Sequence, residues 1–116
     1  MINGLHALIY AKDAEKARAF FRDVLKLRTI DAGHGWLLFT LPPAELGIHP
    51  SEGEVYHQFY LMCDDLKQTM VELKAKGVSC GAVHEAPWGS ITEFEIPGGG
   101  KMGLYQPKHP TAIAKR

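Results

Sequence analysis

Two histidines sit in closely similar surroundings. His6 lies within "GLHALIYAKDAEKA" and His57 within "VYHQFYLMCDDLKQT", each a largely apolar run that ends at an aspartate ahead of a charged segment. Asp13 follows His6 at the interval at which Asp64 follows His57, so the two imidazoles hold equivalent places in a duplicated pattern. A lone histidine in such a run is ordinarily satisfied by solvent or a backbone partner, whereas a matched pair points to two imidazoles lining one functional surface. Other chemistry-bearing residues are less suggestive. Glu93 and Glu95 alternate with Thr92 and Phe94, the pattern of a strand with one solvent face rather than of an acid/base pair. Cys63 and Cys80 lack metal-knuckle spacing and have no neighbouring base in sequence, so both read as small core residues. His34, His84 and His109 fall in turn-like or terminal contexts and read as surface residues. Tyr10, Trp36, Phe59, Trp88 and Tyr105, together with Phe39 and Tyr60, supply the rings for an aromatic pocket suited to a planar or apolar ligand, after ordinary packing has claimed its share.

The elements that position these residues follow from periodicity. Leu5 to Tyr10 suits a short strand, and Asp13 offers a helix N-cap before "AEKARAFFRDVLKL", where Ala17, Phe20, Phe21, Val24 and Leu25 share one helical face. Three short strand candidates follow, "RTI", "GWLLFTL" and "ELGIHP", separated by Gly, Pro or Asp. The second half repeats the plan. "HQFYLMC" reads as a strand, Asp64 or Asp65 as the cap, and "LKQTMVELKAK" as a helix with Leu66, Met70 and Leu73 on one face and Gly77 as its stop. "VSCGAV", "SITEFEI" and "KMGLYQP" then give three more strands, joined by "HEAPWG" and the turn "PGGG". Both halves close on similar strands, Gly47 to Pro50 and Gly103 to Pro107, and an internal duplication is the economical explanation.

The chain of 116 residues is the size of one domain. Within it, residues 3–50 form the first expected module, 55–107 the second, and 108–116 a tail. Thirteen basic residues balance thirteen acidic ones, so no net positive field favours nucleic acid or an anionic membrane surface. Charges or prolines interrupt each apolar run well short of a bilayer span, and the N-terminus lacks the pattern of a secretory signal. A cytoplasmic location is expected.

Paired strand–helix–three-strand units, each with a histidine on its opening strand, resemble the vicinal oxygen chelate superfamily, which includes glyoxalase I, the bleomycin and fosfomycin resistance proteins and the extradiol dioxygenases. The resemblance runs from about Leu5 to Pro107 through "HALIYAKDAEKARAFFRDVLKL", "PWGSITEF" and "PGGGKMGLYQP". It implies an α+β fold of two tandem βαβββ modules whose curved mixed sheet surrounds an open cup. It also implies that metal-dependent members place a histidine on the first strand of a module and a glutamate on its last, holding a divalent ion that chelates neighbouring substrate oxygens. His6 and His57 match the histidine positions. Such donors suit Zn, Ni, Mn or Fe(II), and open coordination positions would let the ion polarise a carbonyl or enediolate oxygen.

The glutamate positions depart from that pattern. Alignment through "PGGG" puts Gly103 where the second glutamate would stand, and in the first half the position falls on Glu45 or Gly47 according to register. Glu45, Gly47 and His49 share a strand face, so Glu45 or His49 would reach the cup beside His6. Tyr105 shares a face with Gly103 and would fill the space a missing ligand leaves. Two functions follow from the resemblance. One is a metal-dependent lyase, isomerase or dioxygenase acting on a small oxygen-bearing molecule, with Glu45 moving a proton. The other is a metal-free binder of a drug or metabolite, of the bleomycin-resistance kind, which the loss of a glutamate at Gly103 favours. A scaffold with a self-filled cup is a third, weaker reading. Modules of this family pair within or between chains, and a homodimer is expected here because exposed sheet edges need covering.

Overall fold

A computed structural model describes residues 6–34, 37–50, 52–54 and 56–113. Its elements in chain order are α1 (Ala14–Ala19), β1 (Thr29–Asp31), β2 (Leu37–Phe39), β3 (Tyr60–Met62), α2 (Leu66–Ala75), β4 (His84–Ala86), β5 (Gly89–Glu95) and β6 (Lys101–Pro107). The mixed α+β class expected from the sequence is what is found. β1 and β2 form an antiparallel ribbon, and the other strands form a four-stranded sheet in the order β3-β6-β5-β4. Within that sheet β3 runs parallel to β6, while β5 is antiparallel to both β6 and β4.

Local chemistry explains where the helices begin. The Asp13 carboxylate accepts from Lys16 N at 3.0 Å, and Asp65, the second of the two candidate caps, accepts from Gln68 N at 3.1 Å. The first helix does not continue regularly to Leu27. After Ala19 it widens into a π-helical turn, Phe20–Val24, in which the adjacent Phe20 and Phe21 are both buried. Lys26 then takes a left-handed φ of 60°, which ends the helix. α2 ends on Gly77, also left-handed at φ 87°, as its sequence predicts.

One core joins the two halves. Ala17, Phe20 and Phe21 from the first meet Leu66, Leu73, Val78, Phe94, Ile96, Met102 and Leu104 from the second. Phe94 pairs with Met102 and Thr92 with Leu104 across β5 and β6, so these side chains share the helix-covered face of the sheet. A backbone bond from Asp13 N to Gly98 O, 2.9 Å, ties the start of α1 to the β5–β6 turn. The opposite face, carrying Tyr60, Ile91, Glu93, Gly103 and Tyr105, is the one left open.

Three expectations about strands are corrected. Residues 6–10 and the "ELGIHP" segment form no strand, and Leu8, Ile9, Leu46 and Ile48 stand 58%, 44%, 86% and 88% exposed. A strand exists only against a neighbour that takes its N–H and C=O groups, and within the described residues these segments have none. The first half therefore supplies α1 and the β1–β2 ribbon, whereas the second realises strand, helix and three further strands. "VSCGAV" contributes only a bridge between Cys80 and Phe94. "HEAPWG", expected as a connection, instead contains β4, paired to β5 from Ala86↔Gly89 to His84↔Ile91. No β-branched residue announces β4. Side-chain bonds hold it, with Glu85 accepting from Ser90 Oγ at 2.6 Å and from Lys108 Nζ at 2.9 Å.

Candidate functional site: the open face of the sheet

Two glycines shape the open face. An alanine Cβ at Gly103 would lie 2.1 Å from Cδ1 of Tyr60, and one at Gly89 would lie 2.3 Å from Cε1 of Tyr105. Each tyrosine ring thus lies over a strand position that only glycine leaves vacant. Tyr60 and Gly103 are register partners on β3 and β6, so the ring covers the position aligned with the missing glutamate. The Tyr60 hydroxyl donates to Gln58 Oε1 at 3.0 Å.

From Tyr60 the aromatic surface continues. Ring centroids are 6.0 Å apart for Tyr60 and Tyr105, 5.6 Å for Tyr105 and Trp88, and 5.8 Å for Tyr105 and His109, all tilted. At the Tyr60 end an open cavity of about 350 Å³ is lined by Tyr10, His57, Phe59, Tyr60, Glu93 and Lys101 among others. Its size is that of a small-ligand pocket, and its wall mixes rings with a few polar groups.

The expected site residues divide into three groups. His57, Tyr10 and Phe59 come together at this cavity. Trp88 and Tyr105 lie beside it, linked through the Tyr60 ring. His6 and His49 are exposed and line neither end of this surface, and the His49 ring lies over Gly47. Glu45 is half-buried and accepts from Ala112 N at 2.8 Å. Its negative charge also bears on Tyr105: burial pushes that phenol above its ordinary range, and Glu45 adds to the rise. Trp36 lies outside the described residues.

The donor set expected for a metal is not gathered among the described residues of one chain. Among the described residues no three His, Cys, Asp or Glu side chains gather as a divalent ion requires. His6, Glu45 and His49 belong to segments that pair with no strand, so the expected grouping with His57 lacks a sheet to assemble it. At Gly103 a tyrosine ring occupies the ligand position. Within a single chain, the described residues do not bring together a donor set that fits the ion.

The cysteines behave as expected of core residues. Both are free thiols, half-buried, and burial pushes both pKa values up, away from nucleophilic chemistry. Sequence reasoning missed the parts played by Gly89 and His109. A glycine inside a strand pattern marks a close approach, which was the available signal for Gly89. For His109 there was none, since its contact with Tyr105 depends on how the chain turns after β6.

Comparison with known proteins gives a consistent picture. Residues 5–101 match the model of the Glyoxalase/Bleomycin resistance protein/Dioxygenase superfamily. No curated protein matches. Among solved structures, an antibiotic binding protein from Streptomyces sp. CB03234 is similar at 23% identity and TM-score 0.60, over 90% of this chain and 100% of the other. A member of the same superfamily from Sphaerobacter thermophilus shares 23% identity and TM-score 0.65, over 90% and 98%. A lactoylglutathione lyase from Agrobacterium tumefaciens shares 17% and TM-score 0.59, over 90% and 96%. At these identities the structural likeness is one of fold.

Proposed function

The chain belongs to the glyoxalase/bleomycin resistance protein/dioxygenase superfamily, and within it we propose that this protein binds a small planar molecule on the open face of its sheet without a metal ion. The observation that carries this reading is the Tyr60 ring seated over Gly103. An aromatic surface offers stacking to a flat ligand, and the polar groups at the cavity, His57, Glu93 and Lys101, would orient it. The similarity to an antibiotic binding protein is in keeping with a binder. The cytoplasm is the compartment this reading assumes, in keeping with two free thiols; among the described residues no helix is long and apolar enough to cross a membrane.

The test uses chelator-treated protein titrated calorimetrically with 6-hydroxyquinoline, a flat bicyclic probe whose oxygen and nitrogen stand too far apart to chelate an ion. Saturable binding is expected, with the same midpoint whether or not one equivalent of Zn, Ni, Mn or Fe(II) is added. Binding that appears only with metal would overturn this reading in favour of a metal-dependent lyase, isomerase or dioxygenase. Absence of any binding would also count against it.

We further propose a homodimer. The chain exposes 9344 Å², against roughly 6,300 Å² for a compact monomer of its mass. Its radius of gyration of 15.2 Å likewise exceeds the about 13.4 Å usual for its length. The excess is of the order of an obligate interface. Exposed apolar residues in the first half, Leu8, Ile9, Leu41, Leu46 and Ile48, are the surface a second copy would cover, giving the module at residues 3–50 its missing strand neighbours. Light scattering should return twice 12.8 kDa at micromolar concentration. A monomer mass that dilution does not change would refute the dimer.

A further inference from the structure

Glu93 stands between two openings in the open face. It lines the cavity of about 350 Å³ beside Tyr60, and it also lines a second cavity, of about 290 Å³, with Gly81, Ala82, His84 and Ile91 over β4 and β5. Its flanks carry no side chains. On β6 its register partner is Gly103, and on the other side Gly81 N donates to Glu93 O at 2.8 Å. Tyr60, Gly103 and Glu93 thus form one row across β3, β6 and β5. The Tyr60 ring lies over the middle of that row, so an aromatic ring and a carboxylate stand side by side at one cavity.

The charges on this face do not cancel evenly. Lys101, a cation lining the same cavity, is the register partner of Glu95, and an opposite charge directly across a strand pair offsets it. Glu93 has no such neighbour. Among the described residues no ion pair or hydrogen bond engages its carboxylate. A positive group placed between this carboxylate and the Tyr60 ring would gain from both, through charge attraction and through the electron-rich face of the ring. A neutral flat molecule would gain only the stacking.

We infer that Glu93 is the specificity-determining residue of the proposed site, forming with Tyr60 a subsite for a positively charged nitrogen, so that the ligand class is the flat heteroaromatic cation. The inference rests on the binding function proposed above and adds the charge of the ligand and the place where that charge sits.

The experiment titrates the full chain calorimetrically with 1-methylquinolinium and 4-methylquinoline, which share two fused rings and a methyl group and differ by one positive charge. The buffer is at about pH 8, where an ordinary imidazole is neutral. Wild type should bind the cation about tenfold tighter, which an exposed ion pair and a cation–π contact supply together. Glu93→Gln keeps the side chain's size and removes its charge. It should cut the ratio to about threefold, the part left to the Tyr60 ring, with the affinity for 4-methylquinoline unchanged. Glu72→Gln makes the same change in net charge at an exposed position on α2, away from the open face, and should leave both affinities as they were. Added salt should lower the ratio in wild type and not in Glu93→Gln.

Equal binding of the two probes by wild type, or a wild-type ratio in Glu93→Gln, would overturn the inference while leaving the binding function intact. So would an equal fall in the ratio with Glu72→Gln, the mark of net charge rather than of a subsite. Binding of 6-hydroxyquinoline but of neither methyl compound would overturn it as well. If wild type binds none of the three, the binding reading falls and the inference with it.

Discussion

Gly103→Ala is expected to leave the fold standing and to weaken binding of the hydroxyquinoline by up to about tenfold, the value of one lost aromatic contact. The new Cβ would sit 2.1, 2.5 and 3.1 Å from three atoms of the Tyr60 ring, so one side must move. β6 cannot, because Gly103 is paired with Tyr60 on one flank and with Glu93 on the other. Tyr60 can move. Its residue is 38% exposed and its hydroxyl is held by the exposed Gln58. The ring therefore swings off the sheet, at a stability cost of about 1–3 kcal/mol, partly offset by the about 0.5–1 kcal/mol that alanine gains over glycine inside a strand. Calorimetric titration reads the binding, and urea denaturation shows whether the loss is local. Undiminished binding would mean that the seated ring is not part of the ligand surface. Gly89→Ala provides the contrast, since its Cβ would also meet Gln106 O, a backbone atom, at 2.8 Å. That carbonyl belongs to a paired strand and cannot swing aside, so the same methyl group should cost more stability there.

The largest expected loss of stability is at the centre of the shared core. Phe94 is 2% exposed and its ring lies 5.7 Å from that of Phe20, which is equally buried. Phe94→Ala removes the ring that joins α1 to the sheet and leaves a cavity bounded by both halves of the chain. A loss of about 3–5 kcal/mol is expected, a large fraction of the about 5–15 kcal/mol that holds most domains folded. The urea midpoint should fall accordingly, with wild type and variant compared at one protein concentration because the proposed dimerisation would contribute to apparent stability. A shift below about 1 kcal/mol would show that the two halves do not depend on this contact, contrary to the single core that the packing describes.

The function proposed here turns on a distinction between two kinds of information. Local signals were legible. Asp13 and Asp65 cap helices because short carboxylates satisfy the free N–H groups of a first turn, and Gly77 stops one because it tolerates a left-handed φ. The alternation in "SITEFEI" and "KMGLYQP" showed two strands, and the apolar faces of both helices found the core expected of them. The duplicated histidines and the glycine at position 103 were visible as residue types at matched positions.

Relations between segments were not legible in the same way. Residues 6–10 and 45–50 have the composition of strands, but composition cannot provide an edge to pair with, and none of the described residues pairs with them. The π-helical turn at Phe20–Val24 arises because two adjacent rings both enter one core, a demand set by the sheet beneath rather than by helical periodicity. That Tyr60 lies over Gly103, and Tyr105 over Gly89, depends on the register of strands far apart in sequence. The contact of His109 with Tyr105 depends on a chain reversal held by Lys108 and Ala112. By itself the sequence determined the α+β class, the helix starts, the stop of α2 and the strands β3, β5 and β6, because each is written in residues adjacent or periodic along the chain, while the glycine at position 103 stood out only through the family resemblance. Only the tertiary structure decided what covers that glycine, since a side chain's neighbours across a sheet are set by strand pairing, which no local pattern specifies.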